Sequence, residues 1–447
     1  MSTEPVTDAP AVDDGGVHDE PRIYERSEHS LSRRQVSESA LKVLYRLHKA
    51  GYKACLVGGG VRDILLGLQP KDFDIATDAH PEQVRELFRN CRLIGRRFRL
   101  AHVRFGPEVI EVATFRGAHD EDARLESDEG RILQDNVYGD IHEDVWRRDF
   151  TVNALYYDIS DFSVIDYVDG MEDLKARVLR LIGDPEQRYR EDPVRMLRAV
   201  RLAEKLGFEI DAGATAPMRS LSHLLAHIAP ARLFDETLKL FQAGAAVKTF
   251  RGLRRHGLLR ELFPDTDRIL EGEGGAEAAA LIERALENTD RRVAEGLPIT
   301  PAFLFAALLW PAFREALAAH VAEGMKPREA HDVCGEVVIA NAVTRVALPR
   351  RFSYATREIW SLQYRLEHRQ RKRVLKLMEQ KRFRAAYDFL LMRAEAGEVD
   401  PALAAWWSDI QEASDEHRAG MLEALTGDGA PEGEPAPKKR RRRRRRR

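Results

Sequence analysis

Apolar residues at helical spacing first recur at Leu41, Val43, Leu44 and Leu47, within ALKVLYRLHKAG, and predict an amphipathic helix. Ser37 or Ser39 stands where an N-cap belongs, and Gly51 where the chain would turn left-handed at the helix end. A short apolar run over 54–57 then meets Gly58-Gly59-Gly60 and the helical stretch VRDILLG. Residues 71–75 alternate polar and apolar, as a half-buried strand does. Pro81 opens a second helix, PEQVRELFR, at a position where its missing N–H costs little. Residues 99–105 and 109–115, separated by Gly106-Pro107, predict an antiparallel pair.

From 116 to 139 this order breaks down into Asp, Glu and Arg with little apolar content, which predicts a mobile loop or lid. Residues 164–168 read as one more strand. Beyond about Asp173 strand signals nearly vanish, and helical periodicity runs to Leu425. The predicted fold class is α/β followed by all-α: a small mixed-sheet head, then an extended helical part.

Composition sharpens this picture. The chain has 447 residues, 44% of them hydrophobic, which is enough for a buried core in about three domains. Its three cysteines, Cys55, Cys91 and Cys334, lie far apart and form no disulfide framework or cysteine-rich zinc site. The net charge of −2 conceals an asymmetry. Residues 438–447 are all Lys or Arg; without those ten, 61 basic residues face 73 acidic ones, a net of −12. No apolar run reaches the length of a membrane span, and the strongest, AFLFAALLW, has the length of a buried helix. The first 20 residues hold six acids and no Lys or Arg, unlike a secretory or transit signal, so a cytoplasmic location is expected.

The sharpest chemical feature is LVGGGVRDILLG followed by KDFDIAT. Asp72 and Asp74 lie two apart on a predicted strand, so both carboxylates project to one face. Hard oxygen ligands so close together suit Mg²⁺. The same pair alone also fits two solvated acids on an edge strand. Gly59 and Gly60 lie between strand and helix, where backbone N–H groups can face a phosphate, and Arg62 stands in the first turn of that helix. Neither a Walker loop nor a dinucleotide fingerprint is present. Glu111 is a lone acid in the apolar VIEVATF; beside the Asp72–Asp74 strand it would complete three carboxylates for two metals.

Downstream, WRRDFTVNALYYDI places Asp149 and Asn153 at i,i+4 on one predicted helix face, with Arg148 adjacent. RYREDPVRMLRAVRLA puts Asp192, Arg195 and Arg198 at spacings of three. Such side chains can read base edges, or can form a solvated, salt-bridged face. Residues 340–395 carry 14 Lys and Arg against five Asp and Glu, interleaved with Phe352, Tyr354, Trp360, Tyr364, Phe383, Tyr387 and Phe389. Stacking rings beside cations suit single-stranded nucleic acid, although core rings with a wet basic face explain the rings equally well. Arg350, Arg351, Arg357, Arg365, Arg371, Lys372 and Arg373 are the RNA-contact candidates there, with Lys438, Lys439 and Arg440 in the tail.

Together these motifs resemble the nucleotidyltransferase branch shared by bacterial poly(A) polymerases and tRNA CCA-adding enzymes. GGGVRD, DFD, RRDFTVNAL and EDPVRMLRA occur in order, densely over Leu41 to about Leu206. The resemblance implies a catalytic head, neck, body and leg, with Asp72, Asp74 and Glu111 as metal-binding carboxylates. It places Gly59 and Arg62 at the triphosphate and Arg148, Asp149 and Asn153 at the nucleotide. Asp192 and Arg195, with Arg198 close by, fall where the base edge is read. It further implies ATP as substrate, two Mg²⁺ ions with Mn²⁺ as a substitute, single-stranded RNA 3′ ends, and protein partners in RNA decay through the C-terminal region. The segment NCRLIGRRFRLAHVRFG (90–106) is similar to the poly(A) polymerase form, and His331-Asp332 looks incidental rather than part of a fused hydrolase. The alternatives are a CCA-adding or A-adding enzyme and a noncatalytic RNA-binding protein.

The expected divisions are a disordered acidic arm (1–30), the catalytic head (31–172), a base-recognising neck (173–232) and a helical body (233–339). A basic RNA-binding region (340–426) and a disordered linker with the Lys/Arg tail (427–447) follow.

Overall fold

The computed structural model describes residues 20–95, 99–117, 125–126, 132–134 and 137–425. The described chain divides into two compact units: residues 1–273 with 286–301 and 340–348, and residues 274–285 with 302–339 and 349–447.

The first unit is built on an eight-stranded sheet. Its strands are β1 (Arg22–Tyr24), β2 (Ala54–Val57), β3 (Asp74–Thr77), β4 (Cys91–Ile94), β5 (Leu100–Phe105) and β6 (Glu108–Thr114), then β9 (Leu155–Asp158) and β10 (Val164–Asp166). The spatial order is β1-β10-β9-β2-β3-β6-β5-β4, antiparallel throughout except for the parallel pair β3–β6. Two short pairs stand apart: β7 (Leu125–Glu126) with β8 (Ile132–Gln134), and β11 (Val178–Leu179) parallel to β12 (Glu209–Ile210).

Local sequence explains the elements that frame the site. Helix α1 (Glu38–Lys49) is capped by the Ser37 hydroxyl, which accepts from the Ala40 N–H at 3.1 Å. It turns off at Gly51, at φ +89°. Its buried face, Val43, Leu44 and Leu47, packs across β2, β3 and β6. Helix α2 (Gly59–Leu65) follows β2, and α3 (Pro81–Leu87) begins at its proline. Helices α4 (Ile141–Arg147), α5 (Gly170–Ala176), α6 (Pro185–Glu191) and α7 (Val194–Leu206) complete the frame.

Several expectations need correction. Residues 20–30 are ordered: Arg22–Tyr24 pairs with Val164–Asp166, and Tyr24 is buried, because that sheet edge offers both hydrogen bonds and apolar cover. The strand carrying the paired aspartates begins at Asp74, so Asp72 and Phe73 precede it; Phe73 is still buried and Asp72 exposed. The last predicted strand ends at Asp166 rather than 168, and β11 and β12 are strands beyond 173. The expected lid lies mostly outside the described residues, as do residues 1–19 of the acidic arm and the whole of 427–447.

The second unit is helical. The apolar 302–310 segment is a core element: Phe305, Trp310 and Phe313 are buried. Trp360 stacks on Phe313 with centroids 4.7 Å apart, its indole N–H donating to the Ala306 carbonyl at 3.1 Å. Phe383, Tyr387 and Phe389 are buried as well. These rings sit on the inner stripe of their helices and belong to the core, not to a stacking platform. Tyr354 differs, at 66% exposed. Among the described residues no single helix is long and apolar enough to cross a membrane; Pro301–Leu308 and Trp310–Ala322 pass the test only as a pair, bent by 53°.

Candidate active site

The parallel register of β3 and β6 sets Asp74 opposite Glu111, with Ile75 opposite Val112. Paired residues on adjacent strands point to one face, so the two carboxylates project together while Ile75 and Val112 enter the core. Asp72 approaches from the segment just before β3. Burial first, then the Glu111 charge and more weakly that of Asp72, push the Asp74 carboxyl up to about 6, with Arg148 opposing. Asp72 and Glu111 are therefore each close enough to Asp74 to act on it electrostatically.

On the opposite side of β6, the antiparallel register with β5 sets His102 against Glu111, and His102 Nε2 lies 3.2 Å from Glu111 Oε2. No sequence motif marks His102. Its only signal there was alternation along 99–105, which places it on the same face as the acid.

Glycine brings the next strand's turn up to these acids. Gly58 adopts φ +75°, and a Cβ there would stand 3.8 Å from Asp74 Oδ2 and 3.9 Å from Arg148 Nη1. Gly60 is packed close, with its Cβ position 3.4 Å from the Asp72 carbonyl oxygen. Gly60 thus serves the approach of α2 to the aspartate segment. Gly59 stands half-buried beside the Arg62 guanidinium.

Arg62 is buried, not presented to solvent. Its Nε donates to Asp63 Oδ1 at 2.9 Å, and its Nη1 to Asn153 Oδ1 at 2.6 Å. Asn153 in turn donates to Asp149 Oδ1 at 3.1 Å, and Arg198 Nε donates to Asp149 Oδ2 at 2.8 Å. One continuous chain, Asp63–Arg62–Asn153–Asp149–Arg198, therefore runs from α2 to α7. Burial opposes ionisation of Asp149, but Arg198 and the Asn153 amide hold its carboxyl far below the usual range. Asp149 and Asn153 do not share one helix as expected: α4 ends at Arg147 and Thr151–Asn153 is a 3₁₀ turn, which still brings the two side chains together.

Arg148 belongs to a second cluster. Its Nε donates to the Tyr156 hydroxyl at 2.7 Å and its Nη2 to Asp144 Oδ2 at 2.8 Å. Burial disfavours the Asp144 charge, but Arg148 and Arg116 outweigh it and hold Asp144 at about 2. Farther along, Glu191 Oε2 accepts from Arg188 at 2.7 Å and from Arg195 at 2.9 Å. Arg195 also donates to the Arg188 carbonyl, and Arg188 donates to that of Arg148. Asp192 is engaged by Arg232 at 2.6 Å and accepts from the Val194 N–H at 3.3 Å. A cavity of about 600 Å³ opens here, lined by Trp146, Arg147, Gln187, Arg188 and Glu191 among others. Asp144, Tyr156, Arg188 and Glu191 went unnoticed in the sequence. Asp144–Arg148 and Glu191–Arg195, at i,i+4, and Arg188–Glu191, at i,i+3, carry a local signal.

The oxygen donors of Asp72, Asp74 and Glu111 are the right chemistry for a hard dication, which would offset both the burial and the repulsion that raise Asp74. Among the described residues, no three His, Cys, Asp or Glu side chains already converge as a ligand set.

Comparison with known proteins gives this arrangement a family. The poly(A) polymerase head-domain model matches residues 54–180, the probable RNA- and SrmB-binding site of polymerase A matches 207–270, and the arginine-rich C-terminus of polymerase A matches 323–447. Poly(A) polymerase I of Salmonella typhimurium and that of Escherichia coli are each 50% identical over 418 residues, covering 92% of this chain and 90% of theirs. The chain belongs to the bacterial poly(A) polymerase family. A CCA-adding enzyme of Bacillus stearothermophilus, solved with CTP, shares its fold at a TM-score of 0.54 and 24% identity, over 88% of both chains. The fold is thus shared with that enzyme, while the half-identical sequence along nearly the full length is that of the poly(A) polymerases.

Proposed function

We propose that the protein adds AMP from ATP to RNA 3′ ends without a template, releasing pyrophosphate. The observation that carries this reading is the Asp74–Glu111 register within a chain half identical to poly(A) polymerase I over nearly its whole length. The RNA 3′-hydroxyl oxygen attacks the α-phosphorus in line as the bond to the β-phosphate oxygen breaks, and the hydroxyl proton is released. No covalent enzyme intermediate forms. Asp72, Asp74 and Glu111 would hold two Mg²⁺ ions, or Mn²⁺ in their place, which when bound neutralise charge on the transferring phosphoryl group.

The remaining residues orient the reactants. Gly58 and Gly60 keep the approach to Asp74 and Asp72 narrow, Gly59 stands beside the Arg62 guanidinium, and Arg62 fixes Asn153 and, through it, Asp149. Asp192, Arg195 and Arg198 border the region assigned to the base, where fixed side chains take the place of a template. The basic C-terminal region, including Arg350, Arg351 and 371–373, engages RNA by charge, as do Lys438, Lys439 and Arg440; the last three lie outside the described residues. Deleting 438–447 should weaken RNA binding and lower its salt dependence. Protein partners in RNA decay and a cytoplasmic setting fit an enzyme of this activity.

Purified protein with Mg²⁺ should be offered labelled ATP or CTP, and either an unstructured RNA oligomer or a tRNA lacking its CCA end. Extension of the oligomer with ATP is expected. Incorporation of CTP into the tRNA alone would instead identify a CCA-adding enzyme, and no incorporation at all a noncatalytic protein.

A further inference from the structure

In the second unit, one stripe of the helix Arg350–Glu367 lines a cavity of about 250 Å³ together with the turn at 380–382 and the helix Pro327–Arg345. Tyr354, Arg357, Ser361 and Arg365 lie along that stripe at spacings of three or four, and Lys381 and Arg382 face them from the turn. We propose that this groove holds a single-stranded stretch of the RNA substrate away from its reacting 3′ end, with Tyr354 stacking on a base and Arg365 and Lys381 meeting phosphates. The identity of the ligand as RNA rests on the polymerase activity proposed above.

The charge balance selects which side chains remain available. Two acids, Asp332 and Glu358, share the lining with the four bases. Glu358 is engaged by Arg382 at 3.4 Å, and Arg357 is paired with Glu336 at 2.7 Å. Among the described residues Arg365 and Lys381 form no ion pair within 4 Å, and Asp332 is the one lining acid left against them, so the lining keeps an excess of positive charge at those two positions. Tyr354 is the large ring of this region left in solvent, whereas Trp360, six residues farther along the same helix, is taken into the core. An exposed ring next to unpaired cations is what a sequence-tolerant single strand requires. From Tyr354 to Arg365 the stripe runs about 16 Å along the helix axis. That length suits successive nucleotides better than one bound mononucleotide.

The test compares the full-length protein with Arg365→Ala/Lys381→Ala and with Tyr354→Ala. Binding of an unstructured fluorescent RNA is followed by anisotropy across a salt series, and binding of ATP alone by calorimetry. The double variant should bind RNA more weakly and lower the slope of log affinity against log salt by about 1.4, two single-strand phosphate contacts. Tyr354→Ala should lose about fivefold or more in RNA affinity with an unchanged salt slope. Ultraviolet crosslinking of the wild type should attach RNA to a peptide containing Tyr354. All three side chains reach solvent, and matching circular dichroism and Tm show that the variants remain folded. Wild-type RNA affinity and salt slope in both variants, or a loss confined to ATP affinity, would overturn the groove. If the wild type extends RNA while the variants bind it normally, the groove alone fails. If the wild type never incorporates AMP yet the variants lose RNA binding, the activity fails and the groove stands.

Discussion

Asp74 and Glu111 are direct partners across the parallel strands β3 and β6, carboxylate beside carboxylate. Burial disfavours the Asp74 charge, and repulsion from the neighbouring Glu111 carboxylate adds to the cost. The Asp74 carboxyl at about 6 is the result. A site of this kind stores an unfavourable arrangement that a dication relieves, at the expense of the metal-free fold.

Asp74→Asn should therefore separate activity from stability. AMP addition should fall at least about a hundredfold with the charge removed, while the Tm of the metal-free protein at neutral pH rises. Asp72→Asn should abolish extension equally but leave Tm nearly unchanged, because Asp72 is exposed. Near-normal extension by either variant with Mg²⁺ would remove that residue from the ligand set.

The pH dependence follows from the same group. Its folded-state value lies above the ordinary 3.8, so between about 4 and 6 the folded protein binds more protons than the unfolded chain. Through Asp74, the metal-free protein loses stability as pH rises across that window, and the loss is complete above it. Asp144 and Asp149, held low by arginines, act in the opposite sense at more acid pH. The difference in Tm between wild type and Asp74→Asn isolates the Asp74 part; it should vanish near pH 4 and grow toward pH 7. Mn²⁺ affinity, measured by titration, should fall as pH drops below about 6 because protons compete for the carboxylate.

Arg62 and Arg195 should fail differently. Arg62→Ala leaves Asp63 and Asn153 without their buried partner, so it should cost about 3 kcal/mol of stability as well as slow incorporation of every nucleotide alike. Arg195→Ala leaves Glu191 still paired with Arg188, so the fold should persist while preference for ATP over CTP narrows about fivefold or more. Denaturant unfolding and nucleotide competition distinguish the two outcomes.

His102 fixes one oxygen of Glu111. His102→Ala should lower kcat about ten- to a hundredfold with little change in KM for ATP, and should weaken Mn²⁺ binding. His102→Gln, which keeps an N–H donor, should restore much of both. Equal behaviour of the two variants would show that orientation of Glu111 does not depend on that hydrogen bond.

Local pattern alone determined a good part of this protein. The Ser37 cap, the apolar stripe of α1, the stop at Gly51 and the β5–β6 hairpin all follow from neighbours within a few residues, where propensity and periodicity act directly. Strand alternation predicted Asp72 and Asp74 on one strand face, but β3 begins at Asp74 and Asp72 lies in the segment before it. Tertiary structure alone decided which strand lies beside them. The register Asp74–Glu111–His102 spans three strands, and the Arg62–Asn153 and Asp149–Arg198 bonds join residues 91 and 49 positions apart. No local spacing encodes such pairings, because they depend on how whole elements pack. The aromatic residues of 340–395 show the same limit. Trp360 and Tyr354 are both rings on one basic helix, and only the helices packed against one face put the first in the core and left the second in water.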